Sequence, residues 1–257
     1  MSTTSVPLFP DHLSVEDYCM NQTEDAYPIE YEFMFEDGSS KSFTIRLDPE
    51  TISILHPRPE APPPWTRLEN EQCPICPLDS QEHPYCPIAV NIAELVDAFK
   101  ESFSYDNCVV CCNTPERSCS KETSVQEGLF SLLGIIMATS DCPVMGLFKP
   151  MARFHLPFAT IQESMVRTTA FYLLRQYFAY KRGTPPDLEM KELDAHYGRV
   201  QKVNRGILDR IGSVSAKDAD RNAIIILNSL AQLFNVEFED NLTSVEYLFT
   251  QDAMDRG

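Results

Sequence analysis

The 257-residue chain lacks any apolar run long enough to cross a bilayer. Its opening stretch, Met1 to Cys19, lacks the basic and apolar regions of a secretory leader. Together these absences predict a protein that stays in a reducing cytoplasm, where cysteines rarely form disulfides. Cationic residues are scarce: 21 Lys and Arg stand against 38 Asp and Glu, for a formal net charge of -17. A field of that sign repels phosphate backbones and argues against general nucleic-acid binding. There is no Walker-A loop, Gly-x-Gly-x-x-Gly, Gly-x-Ser-x-Gly or His-Glu-x-x-His, which excludes the enzymes that depend on them. Internal repeats are absent, and tryptophan occurs once, at Trp65.

What is present is globular in kind. Hydrophobic residues make up 43% and charged residues 23%, values that go with a packed core. The acidity is uneven. Residues 1–66 hold twelve Asp/Glu against three Lys/Arg, a net -9, and the rest carries -8.

Residues 1–27 show no sustained periodicity. Ile29, Tyr31, Phe33 and Phe35 then alternate with Glu30, Glu32, Met34 and Glu36, the period of a strand with one apolar face. Asp37-Gly38-Ser39-Ser40 supplies a turn, and Phe43, Ile45 and Leu47 continue the alternation, so a hairpin is expected. A short third strand is expected over Ile52–Leu55. Five prolines between His56 and Trp65 favour extended backbone and mark a linker, with Trp65 as its anchor.

Helices are expected from about Ile88 to Phe103, over 124–140 and 161–181, and from Pro185-Pro186-Asp187 onward. Thr123-Ser-Val-Gln126 and Thr160-Ile-Gln-Glu163 fit the capping-box pattern. Leu193, Tyr197, Val200, Asn204, Ile207 and Ile211 make one helical stripe. A last helix after Ser215–Asp218 carries Ile224–Leu227, apolar all round and so expected in the middle of a bundle. Asn107–Asn113 reads as a buried strand, and the chain from Thr123 onward as helical. The expected class is α+β. An acidic antiparallel β element occupies 1–55, a proline-rich linker 56–66, and a Cys/His segment with a mostly helical domain 67–257.

The sharpest motif is Cys73-Pro-Ile-Cys76 followed by His83-Pro-Tyr-Cys86, a C-x2-C-x6-H-x2-C pattern. Thiolate and imidazole suit zinc, and four such ligands, Cys73, Cys76, His83 and Cys86, close a structural site. Pro77 stands where zinc knuckles usually carry glycine, and proline is locked at negative φ. Each of the three cysteines precedes proline, as at some iron–sulfur ligands, so a cluster on Cys73, Cys76, Cys86 and a distant cysteine is the alternative.

Other groups carry bland and sharp readings side by side. Cys108 and Cys112 share a strand face and are expected in the core. Cys142 opens a turn, and with His155 it could form a nucleophile–base pair, or serve as a remote metal ligand. Glu192 and His196 share a helix face; with Glu127 and Glu163 they lack the Glu-x-x-His pair of bundle metal sites and are expected at the surface. The helix with Arg167, Arg175, Lys181 and Arg182 also holds Phe171, Tyr172, Tyr177, Phe178 and Tyr180, and is expected to be a core helix with solvated ends.

The hairpin Tyr31–Asp48, the Cys73/Cys76/Cys86 segment and the stretch Gln126–Pro157, with QEGLFSLLGIIMATSDCP and KPMARFHLPFA, resemble an uncharacterised bacterial family. The resemblance implies a bacterial source and transfers no catalytic residue. The function expected from the residues is non-enzymatic. Zinc would staple residues 71–87, and the acidic β element would meet a protein partner or a second copy. The alternative is a thiol- or iron–sulfur-based redox protein or enzyme using Cys86, Cys142 and His155.

Overall fold

A computed structural model describes residues 26–55, 61–214, 218–239 and 242–250. It is α+β: a small antiparallel sheet followed by a mostly helical body. The sheet has the order β2-β1-β3-β4, built from β1 (Tyr27–Phe35), β2 (Ser40–Leu47), β3 (Asn107–Thr114) and β4 (Arg117–Ser124). The alternation in β1 works as period two requires: Ile29, Tyr31 and Phe33 are buried, whereas Glu30 is exposed. Gly38, at φ 83, makes the β1–β2 turn, and Asp37 accepts a hydrogen bond from the Ser39 N–H at 2.9 Å. The hairpin expected as a separate acidic element shares its sheet with residues 107–124, because β1 pairs with β3 in antiparallel register, Tyr31 opposite Cys112.

Helices cover one face of this sheet. The first, α1 (Pro87–Phe99), starts with proline in its first turn and buries Ile88, Ile92, Leu95, Val96 and Phe99. Phe99 meets Phe33 edge-on, their ring centres 5.0 Å apart. Next comes α2 (Val125–Thr139), buried on almost every side. Gly128 lets it lie close on the sheet: a Cβ there would meet Phe33 Cε1 at 2.5 Å and Val110 Cγ2 at 2.8 Å. A short α3 (Lys149–Arg153) leads to α4 (Ile161–Lys181), α5 (Lys191–Gly212), α6 (Ala219–Glu239) and α7 (Thr243–Glu246). The long helices α5 and α6 pack together, and α6 also lies on α2.

Several expectations change, each for a local reason. Residues 52–55 make only one bridge, Ile54 to Leu47. Arg117–Ser124 is a strand in a stretch with no expected element ahead of the helix from about 124; its mostly exposed polar side chains carry no alternation, and pairing with β3 alone forms it. Ser124, without a side-chain cap, opens α2, whereas Thr160 and Glu163 do close a capping box on α4. The helix expected at Pro185 starts at Lys191. Asp187 stands outside it and accepts the N–H of Glu192 at 2.8 Å and of Lys191 at 3.3 Å. Ile225 on α6 is 46% exposed, so that helix is not buried all round. On α4 one stripe, including Met165, Thr168 and Tyr172, is buried, but Leu174, Tyr177, Phe178 and Tyr180 face outward, unlike a core helix with solvated ends. The α5 stripe from Leu193 to Ile211 is buried throughout. No helix among the described residues is long and apolar enough to cross a membrane. Residues 1–25, 56–60 and 215–217, with the irregular opening, much of the linker and most of the last capping run, lie outside the described residues.

Candidate functional site

The segment from Pro64 to Cys86 is irregular backbone held in place by its neighbours. Pro64–Thr66 form a single 3-10 turn, Leu68 N–H donates to Pro84 O at 3.0 Å, and Cys86 N–H donates to Thr66 O at 2.8 Å. Trp65 packs partly buried on the core. Arg210 of α5, 1% exposed, reaches under the segment. It donates to the carbonyls of Trp65 at 3.1 Å, Arg67 at 2.6 Å and Leu68 at 2.8 Å. Three main-chain oxygens of a loop are thereby tied to one helix by one guanidinium.

Four cysteines belong to this part of the fold. Cys73 and Cys76 flank a tight turn in which Cys76 N–H donates to Cys73 O at 2.9 Å. Cys73 Sγ lies over Gly206 of α5, where a Cβ would come within 2.8 Å of it. Cys86 is the residue before α1, with Pro87 as the first helical residue. Cys142 sits between α2 and the 3-10 turn Met145–Phe148. Burial pushes the Cys73 thiol up to about 11, and the neighbouring charges of Cys86, Cys142 and Cys76 push the same way, while Arg210 opposes them. Burial also raises Cys86 and Cys142. The N–H groups of Ala89 and Ile88 pull back at Cys86, and those of Val144 and Met145 at Cys142. The Cys86 amides do so by their field, since its side chain closes no capping hydrogen bond.

As thiols Cys73, Cys86 and Cys142 are neutral near pH 7 and pack as small apolar groups, which makes them poor nucleophiles. Among the described residues no three His, Cys, Asp or Glu side chains stand in an arrangement that could hold a metal ion. The donor set nevertheless has the chemistry of a soft-metal site, because bonding to a metal replaces the thiol proton. His83 is exposed, and the groups that act on Cys73, Cys86 and Cys142 are thiols, amides and Arg210. Cys142, from the far side of α2, is the fourth sulfur of the group. A sequence signal for it exists: Cys73, Cys76, Cys86 and Cys142 each precede proline, and the other five cysteines do not.

The remaining candidates are dispersed. His155 Nε2 lies 2.5 Å from Tyr31 Oη, and no hydrogen bond joins it to Cys142 among the described residues. Burial pushes His155 down to about 3, with Arg167 adding to the effect. His196, expected at the surface, is 7% exposed: it meets the ring of Phe148 edge-on and pairs through Nδ1 with Arg199 at 2.8 Å. Glu127 bonds Thr123 and Lys121, and Glu163 is engaged in its capping box. Cys108 and Cys112 lie in the core, 5% and 1% exposed, as their shared strand face implied. Cys119 stands opposite Cys112 on β4, a juxtaposition that the unalternating β4 sequence did not announce.

No curated protein and no solved structure matches the chain. Residues 29–250 match the model of a domain of unknown function, DUF6901, and the chain, with all but the first two residues of its hairpin, the thiol segment and the helical body inside that span, belongs to this family.

Proposed function

We propose that the protein is a non-enzymatic, metal-stapled interaction protein in which one zinc ion is held by Cys73, Cys76, Cys86 and Cys142. What supports this reading is that Cys73 Sγ lies against Gly206 of α5, beside the Arg210 that ties down the same segment, and that Cys73 and Cys142 each feel the charge of other cysteines of the set. Zinc would clamp the irregular segment before α1 to the end of α2, beside Gly206 of α5. Irregular backbone of this kind gains most from such a clamp, because a structural metal adds its binding energy to folding. The amides facing Cys86 and Cys142, and the Arg210 guanidinium, offset the negative charge of four thiolates. Glu30, Glu36, Asp37 and Glu50, exposed on the β1–β2 side, give the acidic surface for a protein partner.

A second reading, an iron–sulfur centre, is favoured by one observation: all four sulfurs belong to Cys-Pro pairs, a pairing found at iron–sulfur ligands. Metal analysis and a visible spectrum on anaerobically purified full-length protein separate the two. Zinc at about one per chain without colour, lost in Cys142→Ser and retained in His83→Ala, is the expected outcome. Iron with a brown chromophore would select the second reading. Metal-free protein from metal-replete cells, or zinc lost in His83→Ala but kept in Cys142→Ser, would refute the four-thiolate assignment.

A further inference from the structure

In the helical body lies a half-open cavity of about 150 Å³, bounded by α2, the turn after it, and α3 to α6. Most of its wall is apolar, with Ile135, Met145, Phe148, Leu227 and Phe234 among the lining residues, and no Asp or Glu lines it. Two features distinguish it from a gap in packing. Asn204, 1% exposed, lines the cavity with both Nδ2 and Oδ1 lacking a partner. It occupies a stripe position on α5 whose neighbours Val200 and Ile207 are apolar. Buried amides are normally fully bonded, and a buried residue left with a free donor and a free acceptor points to something that supplies both. Exchanging the amide's N and O would leave the same two groups free, so the point does not depend on which way the amide is turned.

Arg167 of α4 lines the same cavity. Its Nη2 donates to the carbonyls of Phe154 at 2.7 Å and Met151 at 3.2 Å, and no carboxylate lies within ion-pair distance among the described residues. Glu163, one turn earlier, is turned back onto Thr160. The cavity therefore combines a guanidinium that feels the charge of Glu163 only from beyond ion-pair distance, a free donor–acceptor pair and an apolar wall. A carboxylate answers the cation and the free donor. A hydroxyl on the adjacent carbon answers the free acceptor, and a short aliphatic tail suits the wall. A cavity of this volume accommodates about six to eight non-hydrogen atoms, the scale of benzene in an engineered cavity of similar size.

We propose that this cavity binds a short aliphatic 2-hydroxycarboxylate, recognised through Asn204 and Arg167. The site is independent of the thiol group and does not rest on the metal reading. The test is calorimetric titration of the full-length protein at pH 7 with 2-hydroxybutanoate, butanoate (no hydroxyl) and butane-1,2-diol (no charge). A site built to bond a hydroxyl rejects the analogue that lacks it, because its own polar atoms are then left unpaired. The expected result is one saturable site for 2-hydroxybutanoate, at least about tenfold tighter than for either analogue, with a ligand-dependent rise in the unfolding midpoint. Asn204→Leu keeps the approximate size of the side chain and removes both unpaired atoms, so it should fold with an unchanged or higher midpoint and lose the binding. No binding of any of the three, equal binding of all three, or undiminished binding by Asn204→Leu would overturn the proposal.

Discussion

The described cysteines fall into two groups of four with opposite surroundings. Cys73, Cys76, Cys86 and Cys142 sit on irregular backbone or next to helix starts, each before a proline. Cys108, Cys111, Cys112 and Cys119 sit on paired strands, where main-chain N–H and C=O groups are committed to the ladder. Proline explains part of the difference. It removes one N–H and holds the preceding residue extended, so a Cys-Pro pair suits a residue just outside a helix, with the next free amides near its sulfur. In the sheet a thiol has no such amides. Burial there pushes Cys108 and Cys112 up to about 11 with no amide opposing it. The contrast teaches that a cysteine just outside a helix start, as Cys86 and Cys142 are, has main-chain amides near its sulfur, whereas in the sheet Cys108 and Cys112 meet Thr123 O and the Tyr31 hydroxyl instead.

The largest test of that contrast is Arg210→Met. The guanidinium serves three carbonyls of the segment that presents the first thiols, and methionine serves none. Loss of charged hydrogen bonds to buried acceptors should cost about 3 kcal/mol in urea unfolding. If the two cysteine groups differ as described, the same variant should lower metal content while leaving the sheet intact by circular dichroism.

The histidines sharpen the comparison next. His83 is exposed, whereas His155 and His196 are held neutral by burial, at about 3 and about 4. The unfolded chain takes up a proton at each near the ordinary value of about 6.5, before the folded one does. Between about 6.5 and those lowered values the unfolded state binds more protons, so stability present above pH 6.5 is lost as pH falls. Denaturant titrations at pH 7 and pH 5 should differ by at most about 2 kcal/mol for each of the two. Tyr31→Phe, which removes His155's partner, should alter that slope.

Cys112→Ser is the smallest perturbation. It places a hydroxyl in an apolar sheet-facing position, 1% exposed, and should cost about 1–2 kcal/mol. Metal content should not move. A serine here that stripped the protein of metal would join the two cysteine groups and erase the distinction.

Legibility followed how local the cause was. The α4 start could be read because Thr160 and Glu163 satisfy each other within one turn. The hairpin and the α5 stripe could be read because apolar spacing records which face is covered. Strand β4 could not, since Arg-Ser-Cys-Ser-Lys-Glu-Thr-Ser carries no apolar period and is drawn into the sheet by β3. Three of the four thiols were legible from the short Cys-x2-Cys spacing and the Cys86 that follows it. Cys142 was recognisable only as a remote possibility, because most of α1, β3, β4 and α2 intervene in the chain. Arg210 and Asn204 carried no motif at all. Their roles come from what α5 is packed against.

The residues alone determined the class of the fold, most helix spans, the acidity and the cysteine-rich segment, because periodicity, capping and charge act over a few residues. Tertiary structure decided that β1 joins β3, that Arg210 ties the segment before α1 to α5, and that Asn204 and Arg167 share one cavity. Those are contacts between distant parts of the chain, set by the burial of the sheet face, α2 and the α5 stripe in one core, and no local spacing encodes them.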